Sequence, residues 1–365
     1  MKNSTNPLVV IILGGFLSLL PEISGAAIDK ASWLADAGRT LLGSADIRAA
    51  CYWHETWVQY RRDADLKINS SPVSLRAYQA YASDSRVHDQ VYVSSHQIIE
   101  PEPGAVYHCA YPGFVENHRE VITSQKITHF EALAGKKLAW IYFSDDWSNG
   151  IDFPAEAVRT ISDHGAIPFI RLMAWSHYQI KGKDPRFSMQ TIIDGQHDRD
   201  LVQWAEAAAV TNQPIIVEFG VEVNGDWFPW NGRFNGSGET TGYGDPLLYD
   251  GPERFKDAYR HIVRLFRTNG ATNVSWAFHV NAVSVPDEKW NQMHHYYPGD
   301  DFVDWIGVSI YGPVNKRDPD QYLFSEIWEY IKEELRSISA TKPIAVFEFG
   351  VGEPLKRISA KRCVL

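Results

Sequence analysis

Apolar residues recur along the chain in two alternating patterns, most regularly after Pro103. Short runs rich in Val, Ile and aromatic residues indicate buried β-strands, whereas the segments between them carry apolar residues at the spacing of one helix face. The helical spacing is clearest at residues 255–266 and in the segment before the last strand. Seven strands are predicted, at residues 106–111, 137–143, 167–173, 215–219, 274–278, 304–310 and 344–347.

The alternation of strands with helices predicts a parallel sheet. Further helices are indicated at 154–165, which opens on a proline and closes on a glycine, and at 198–210. Seven βα units favour an α/β fold of the (β/α)8 TIM barrel type over an open doubly wound sheet. The chain lacks the Gly-x-Gly-x-x-Gly and phosphate-binding Gly-rich motifs that would favour the open sheet.

The N-terminal part of the chain supplies a candidate for the missing eighth strand. Residues 29–42 are predicted to form a helix ended by Gly43, residues 47–53 a strand, and residues 72–82 a helix capped by Ser71. A parallel barrel left open would expose two unpaired edges, so we expect this segment to close the ring. We interpret the chain as a circularly permuted barrel, and the alternative is a gene fragment in which the end of one barrel is fused to a truncated second one. The predicted segments are a leader at 1–26, the closing segment at 27–90, a connector at 91–104, seven βα units at 105–350 and a polar tail at 351–365.

The first 26 residues have the pattern of a secretory signal peptide. Lys2 precedes an apolar run at 8–20, and small residues at 24–26 form a cleavage site. The alternative is a membrane anchor, but the run is shorter than the ~20 residues that span a bilayer. We therefore expect a secreted protein, extracellular or periplasmic, with no membrane contact after cleavage.

Composition narrows the possible partners. The formal net charge of −10 argues against nucleic acid and anionic membranes as partners and suits a neutral substrate. The three cysteines do not form a disulfide framework; Cys51 and Cys109 are expected to be buried free thiols, and Cys363 lies in the polar tail. We expect no cofactor and no catalytic metal, because His294 and His295 are adjacent, point apart, and are expected in a solvated loop.

Two glutamates end predicted strands. Glu222 follows the strand at 215–219, and Glu348 comes directly after the strand at 344–347. Active sites of such barrels lie at the carboxyl ends of the strands, where these two side chains would face each other. Retaining glycosidases use two carboxyl groups, one protonated and one ionised.

Aromatic residues at strand ends add a second signal. A flat ring covers the C–H face of a pyranose, and core packing is the alternative for each ring; sugar contact is favoured for Trp53 and Trp227. Asn224 is either a sugar contact or a turn residue, and His279, at the end of the fifth predicted strand, is a further candidate for the cleft. The candidate rings are Trp53, Trp147, Trp175, Trp227 and Trp230.

Several motifs resemble those of one known family. The run Glu-Val-Asn-Gly-Asp-Trp-Phe-Pro-Trp at 222–230 resembles the acid/base motif of glycoside hydrolase family 26, whose members are mostly β-mannanases. The run Phe-Glu-Phe-Gly at 347–350 is similar to its nucleophile strand, and Ile-Tyr-Gly at 310–312 to its sixth strand. Residues 53–55 and 66–72 resemble its eighth strand and closing helix. The resemblance implies that Glu222 is the acid/base, that Glu348 is the nucleophile, and that Tyr311 contacts the nucleophile.

The resemblance implies an endo-1,4-β-mannanase acting as a monomer on a β-linked polysaccharide or oligosaccharide. Two positions depart from the family pattern: Val221 stands where members carry a sugar-contacting His, and Glu218 where many carry an Arg. Glu218 is therefore either a carboxylate held by a core cation or a catalytic rival to Glu222. The alternative functions are a non-catalytic carbohydrate-binding protein on a degenerate barrel, and a β-xylanase or β-glucanase of the same fold.

Overall fold

Eight parallel strands form a closed ring in the part of the chain that the structure describes. The computed structural model describes residues 28–354 without 58–63, 96, 117–118, 178–179, 181, 315–317 and 319–320. The predicted leader, Cys363 and most of the predicted tail lie outside this part. The strands are β1 (Ile47–Trp53), β2 (Val106–Tyr111), β3 (Trp140–Asp146), β4 (Ile167–Met173), β5 (Ile215–Phe219), β6 (Val274–Asn281), β7 (Trp305–Tyr311) and β8 (Ile344–Gly350). The predicted (β/α)8 barrel is therefore confirmed.

The N-terminal strand closes the barrel. Strand β1 pairs in parallel with β2, for example Trp53 with Tyr111, and with β8, for example Tyr52 with Phe349. The prediction that residues 47–53 supply the eighth strand is confirmed. The strands follow one another round the ring in chain order. Opening a ring of βα units at another loop leaves this cyclic order unchanged, so the permutation itself stays a prediction.

The helices lie between successive strands. They are α1 (Lys30–Gly43), α2 (Pro72–Ala82), α3 (Ser124–Ala134), α4 (Ala155–Asp163), α5 (Met189–Ile193), α6 (Asp198–Thr211), α7 (Asp250–Thr268) and α8 (Phe324–Ile338). Ser71 caps α2 as predicted, and its hydroxyl also donates to Glu353, 3.0 Å away. The hydroxyl of Ser74 donates to the same carboxylate oxygen at 2.9 Å. The helix that follows β1 is thereby attached to the segment that follows β8.

Short strands and 3-10 helices lie outside the eight-stranded ring. The hairpin of Tyr92–Ser94 and Gln97–Ile99, within the predicted connector, lies at the amino ends of β2 and β6, where the Tyr92 amide donates to the Tyr107 hydroxyl at 2.9 Å. The other short strands are Thr56–Trp57, Ala64–Asp65, Val87–His88, Val115–Glu116, Arg119–Glu120 and Glu353–Pro354. The 3-10 helices are Trp147–Asn149, Gly232–Phe234, Lys289–Asn291 and Met293–Tyr296.

Large side chains fill the barrel interior. Trp140 meets Trp305 edge to face with ring centroids 5.5 Å apart, and Phe169 meets Phe347 at 4.9 Å. Cys51 and Cys109 are buried free thiols, as predicted. Among the described helices, none combines the length and apolar character needed to cross a bilayer.

Among the local predictions that were incomplete, one strand and one helix are informative. Strand β3 begins at Trp140 rather than at residue 137 and continues to Asp146. Helix α3 was not predicted, because it buries just three residues, Ile127, Phe130 and Ala134, and its apolar stripe is sparse. Its cap signals were present, with Thr123 at the N-cap and Gly135 in the left-handed conformation at the C-cap.

Candidate active site

Glu348 is held by three donors at the carboxyl end of the barrel. The guanidinium of Arg171 donates to Oε1 at 3.0 Å, and the Tyr142 hydroxyl donates to the same oxygen at 3.2 Å. The Tyr311 hydroxyl donates to Oε2 at 2.7 Å. Since a carboxylate that accepts from a cation and two hydroxyls has its ionised form satisfied, Glu348 has the surroundings of an anionic nucleophile.

Arg171 itself is fixed from several sides. It projects from β4, and its Nε and Nη2 donate to the hydroxyl of Ser144 on β3 at 3.1 and 2.8 Å. Its guanidinium lies 5.1 Å from the ring centre of Trp53 and 5.3 Å from that of Tyr142. These contacts orient the Arg171 guanidinium group that donates to Glu348.

Glu222 lies in the turn that follows β5. Its φ of 50° places it in the left-handed region, and Gly220 before it has a φ of 76°. The turn is held where the Gly225 amide donates to the Glu222 carbonyl at 2.8 Å and the Val223 amide to the His279 carbonyl at 3.3 Å. A non-glycine residue in this region is strained, so the surrounding contacts hold Glu222 where its side chain faces Glu348.

The surroundings of Glu222 favour its protonated form. Burial, followed by the negative charge of Glu348, raises the pKa of Glu222 to about 7. The positive charge of His279 and hydrogen bonds from Ser309 and Trp227 act in the opposite direction. Glu222 is therefore poised to give and to take a proton near neutral pH.

Trp227 contacts the Glu222 carboxyl directly. Its Nε1 donates to Oε2 at 2.7 Å. The indole lies across the backbone of Gly225, where a Cβ would overlap the ring. Glycine is needed at that position so that the indole can reach the carboxylate.

Glu218 is fully buried beneath the two candidate catalytic groups. The single proton of the Tyr142 hydroxyl is shared between Oε1 of Glu218 and Oε1 of Glu348, and Nδ1 of His279 lies 2.8 Å from Oε2 of Glu218. Burial opposes protonation of His279, but the charge of Glu218 and its hydrogen bond outweigh burial and raise the pKa of His279. Of the two alternatives for Glu218, the structure supports the carboxylate held by a core cation, with His279 as that cation.

Two of the predicted tryptophans lie near the opening of the cleft. Trp53 stacks on Tyr111 with centroids 4.2 Å apart and donates from Nε1 to Glu55 at 3.2 Å. Trp175 donates to Asp146 at 2.7 Å. Each indole nitrogen is therefore fixed by a carboxylate beside the barrel mouth.

Three other predicted residues lie behind the site. Trp230 is fully buried and donates to the carbonyl of Val221 at 2.8 Å. Trp147 is fully buried and packs on Phe187. Asn224 is buried, and its side chain pairs with the backbone of Asn281, where Oδ1 accepts at 2.7 Å and Nδ2 donates at 2.9 Å. The structure thus brings Glu222, Glu348, Trp227, Tyr311 and His279 together. It places Trp230, Trp147 and Asn224 behind them, in the protein interior.

Three residues of the site were not identified from the sequence. Tyr142, Arg171 and Ser309 all lie inside strands that otherwise read as apolar. An arginine in the middle of a buried strand is a signal in itself, because a buried charge requires a partner. Tyr142 and Ser309 carry no such signal, since both residue types occur in ordinary strands.

The described residues contain no cluster of His, Cys, Asp or Glu placed to hold a metal ion. His294 and His295 belong to a 3-10 helix rather than to the predicted loop. The prediction that they point apart is wrong, because their ring centres are 4.0 Å apart. The pKa of His295 is lowered to about 4 by burial and by His294.

Comparison with known proteins gives a family match and distant relatives. Residues 188–337 match the family model described as glycosyl hydrolase family 26, a region that includes Glu222 and ends before Glu348. The chain is 28% identical over 229 residues to endoglucanase H of Acetivibrio thermocellus, covering 62% of this chain and 23% of that protein. It is 26% identical over 135 residues to β-1,3-xylanase TXYA of a Vibrio species, covering 37% and 25%. The chain therefore spans about a quarter of the length of these relatives.

Among solved structures, the GH26 domain of an endo-β-mannanase/endo-β-glucanase from Prevotella bryantii is similar, with a TM-score of 0.47 and 13% identity. The superposition covers 90% of this chain and 83% of that one.

Proposed function

We propose that this chain, which belongs to glycosyl hydrolase family 26 by its residues 188–337, is a retaining β-glycoside hydrolase acting on a β-linked polysaccharide. One observation carries the proposal: two carboxyl groups at the mouth of the barrel have opposite surroundings. Burial and Glu348 favour a protonated Glu222, whereas a guanidinium and two hydroxyls donate to Glu348. This division is the one that an acid and a nucleophile require.

In the first step, an oxygen of Glu348 attacks the anomeric carbon. The glycosidic C–O bond breaks, and Glu222 gives its proton to the leaving oxygen. Glu222 is then an anion, and the N–H of Trp227, 2.7 Å from Oε2, stabilises its charge. The product of this step is a sugar covalently bound to Glu348.

In the second step, water replaces Glu348 at the anomeric carbon. Glu222 takes a proton from the water, whose oxygen forms the new C–O bond, and Glu348 leaves as a carboxylate. Arg171, Tyr142 and Tyr311 accept this leaving carboxylate in the positions that they already occupy. Two displacements at one carbon return the starting anomeric configuration.

Mannan is the first candidate substrate. It is implied by the similarity of residues 222–230 to the acid/base motif of a family composed mostly of β-mannanases. Trp227 retains a small exposed fraction at the mouth and is the candidate ring for contact with a pyranose unit. Trp53 is less open, because Tyr111 stacks on it and the Arg171 guanidinium lies over its ring. An endo-1,4-β-mannanase is thus the specific activity that we propose to test first.

A β-glucan or β-xylan is the second candidate, and Val221 favours it. Its side chain is buried, so no polar group reaches the sugar from the position where a family His would contact it. The sequence relatives bear the names endoglucanase and β-1,3-xylanase, although each name describes a longer protein.

A panel of β-mannan, β-xylan and mixed-linkage β-glucan, assayed for release of reducing ends, tests the activity and ranks the substrates. Glu222→Gln and Glu348→Gln are expected to lose nearly all turnover, whereas Glu156→Gln, an exposed position on α4, should behave as the wild type. Proton NMR of the first product anomer and trapping with a 2-deoxy-2-fluoro glycoside distinguish retention from inversion. Binding without release on every glycan would favour the non-catalytic carbohydrate-binding protein instead.

We also propose that the protein is exported, with residues 1–26 removed, and acts as a monomer. The basis is the sequence pattern of those residues and the neutral, extended nature of the proposed substrate. N-terminal sequencing of the protein recovered from the medium and light scattering of the purified protein test the two statements separately.

A further inference from the structure

A chain of hydrogen-bonded side chains crosses the barrel interior from Glu348 to Ser309. The Tyr142 hydroxyl lies between Glu348, at 3.2 Å, and Glu218. Nδ1 of His279 lies 2.8 Å from the other oxygen of Glu218. Nε2 of His279 lies 2.9 Å from the Ser309 hydroxyl oxygen. The backbone carbonyl of His279 accepts from the amide of Val223, the residue after Glu222, at 3.3 Å.

The direction of each hydrogen bond follows from the chemistry of the groups. Glu218 accepts, so Nδ1 of His279 donates to it. An imidazolium also donates from Nε2, and this fills one acceptor site on the Ser309 oxygen. The Ser309 proton is then directed away from His279. A charged His279 thereby keeps that proton available to another acceptor, and Ser309 lowers the pKa of Glu222.

We propose that Glu218, His279 and Ser309 are positioning residues for Glu222: the Glu218–His279 ion pair holds a buried positive charge beside the turn that carries Glu222 and fixes the orientation of the Ser309 hydroxyl. The inference rests on the proposed role of Glu222 as acid and base. It assigns a function to Glu218, which occupies the position where the family resemblance led us to expect arginine.

The groups around His279 determine whether its ring stays charged when Glu218 is removed. Glu218 faces it from β5, Glu348 from β8, Glu222 from the turn after β5 and Ser309 from β7, and all three carboxyls raise the pKa of His279. The ring is fully buried, and burial lowers that pKa. Without the directly bonded partner Glu218, burial prevails and His279 becomes neutral.

Loss of the positive charge on His279 should change the pKa of Glu222 in one direction only. Glu348, His279, Ser309 and Trp227 face Glu222, and of these His279 carries the positive charge that lowers its pKa. In Glu218→Gln the pKa of Glu222 should therefore rise. A positive charge close to a carboxyl group shifts the pKa of that carboxyl by about one unit or more.

The experiment measures the pH dependence of kcat/KM for Glu218→Gln and the charge of His279 by NMR of ring-labelled histidine. The alkaline limb is expected to move up by about one pH unit, and the His279 resonances should become those of a neutral ring near pH 6. Ser309→Ala should also raise the alkaline limb but should leave His279 charged. The control is Glu131→Gln, which neutralises another Glu–His pair, partly buried and away from the mouth, with His164 at 2.8 Å; neither readout should change.

An alkaline limb that stays in place or moves down in Glu218→Gln, or a His279 that remains charged, overturns the proposal. If Glu218→Gln does not fold, the small change Ser309→Ala carries the test alone, and an unchanged alkaline limb in that variant refutes the relay. If the wild type hydrolyses no glycan, the proposed function fails, but carboxyl 13C NMR of Glu222 in wild type and variants still reports whether its pKa depends on His279.

Discussion

Replacement of Arg171 by methionine would leave the Glu348 carboxylate without its cation. The side chains of the two residues are 12% and 7% exposed, so water screens the pair weakly. Methionine preserves much of the apolar stem that lies over the rings of Trp53 and Tyr142. The change therefore removes charge and hydrogen bonds more than it removes packing.

The magnitude follows from what remains around the carboxylate. Removing one partner of a buried ion pair typically destabilises a protein by about 3–5 kcal/mol. The Tyr142 and Tyr311 hydroxyls still donate to Glu348, which places the expected loss near the lower limit, about 3 kcal/mol. If the transition state loses about 3 kcal/mol of stabilisation as well, kcat/KM should fall about a hundredfold.

Urea unfolding at pH 7 and hydrolysis of the best glycan measure the two effects. Arg199→Met is the control, because Arg199 is 85% exposed and its ion pair with Asp200 lies on the surface. In the double variant Arg171→Met/Glu348→Gln the unpaired charge is gone, so the unfolding free energy should recover relative to Arg171→Met alone. An unfolding midpoint for Arg171→Met equal to that of Arg199→Met, or a double variant less stable than the single one, would refute the reasoning.

Three further outcomes are expected. First, kcat/KM should fall as the pH rises through about 7, because burial and Glu348 raise the pKa of Glu222 to about 7 and the acid must be protonated; a pH–rate profile flat to pH 9 would contradict this. Second, Gly225→Ala should destabilise the protein by about 1–3 kcal/mol in urea unfolding and lower activity, because the new Cβ displaces the Trp227 ring; unchanged values would be inconsistent with the observed turn. Third, a chain beginning at Pro101 lacks β1 and should lose the cooperative thermal transition and all hydrolysis; full activity of that chain would show that β1 is dispensable and that the permutation interpretation is wrong.

The barrel was predictable because its signals are local. Each strand carries its own apolar run, and β1 followed from the missing eighth strand together with the helix end at Gly43 and the helix cap at Ser71. Glu222 and Glu348 followed from their places at strand ends.

The contacts that decide the chemistry were not local. Arg171 and Glu348 are 177 positions apart, and no periodicity relates them. Likewise, Trp227 meets the carboxylate whereas Trp230 lies in the core, a difference set by the left-handed turn at Glu222 rather than by any spacing of aromatic residues. Glu218 could be recognised as unusual, but its partner His279 required the structure.

The closure of the ring by β1 has a consequence for synthesis. On the ribosome, Trp53 emerges before β8 by about 290 residues, which at about 5–20 residues per second is a delay of about 15–60 s. During that interval β1 can pair with β2 on one side, but its other edge has no strand to meet. An open parallel edge of buried, apolar residues invites association between nascent chains. Recovery of soluble protein should therefore depend on how quickly the last strand follows the first, and a holdase chaperone or slower initiation should increase the yield without altering the folded molecule.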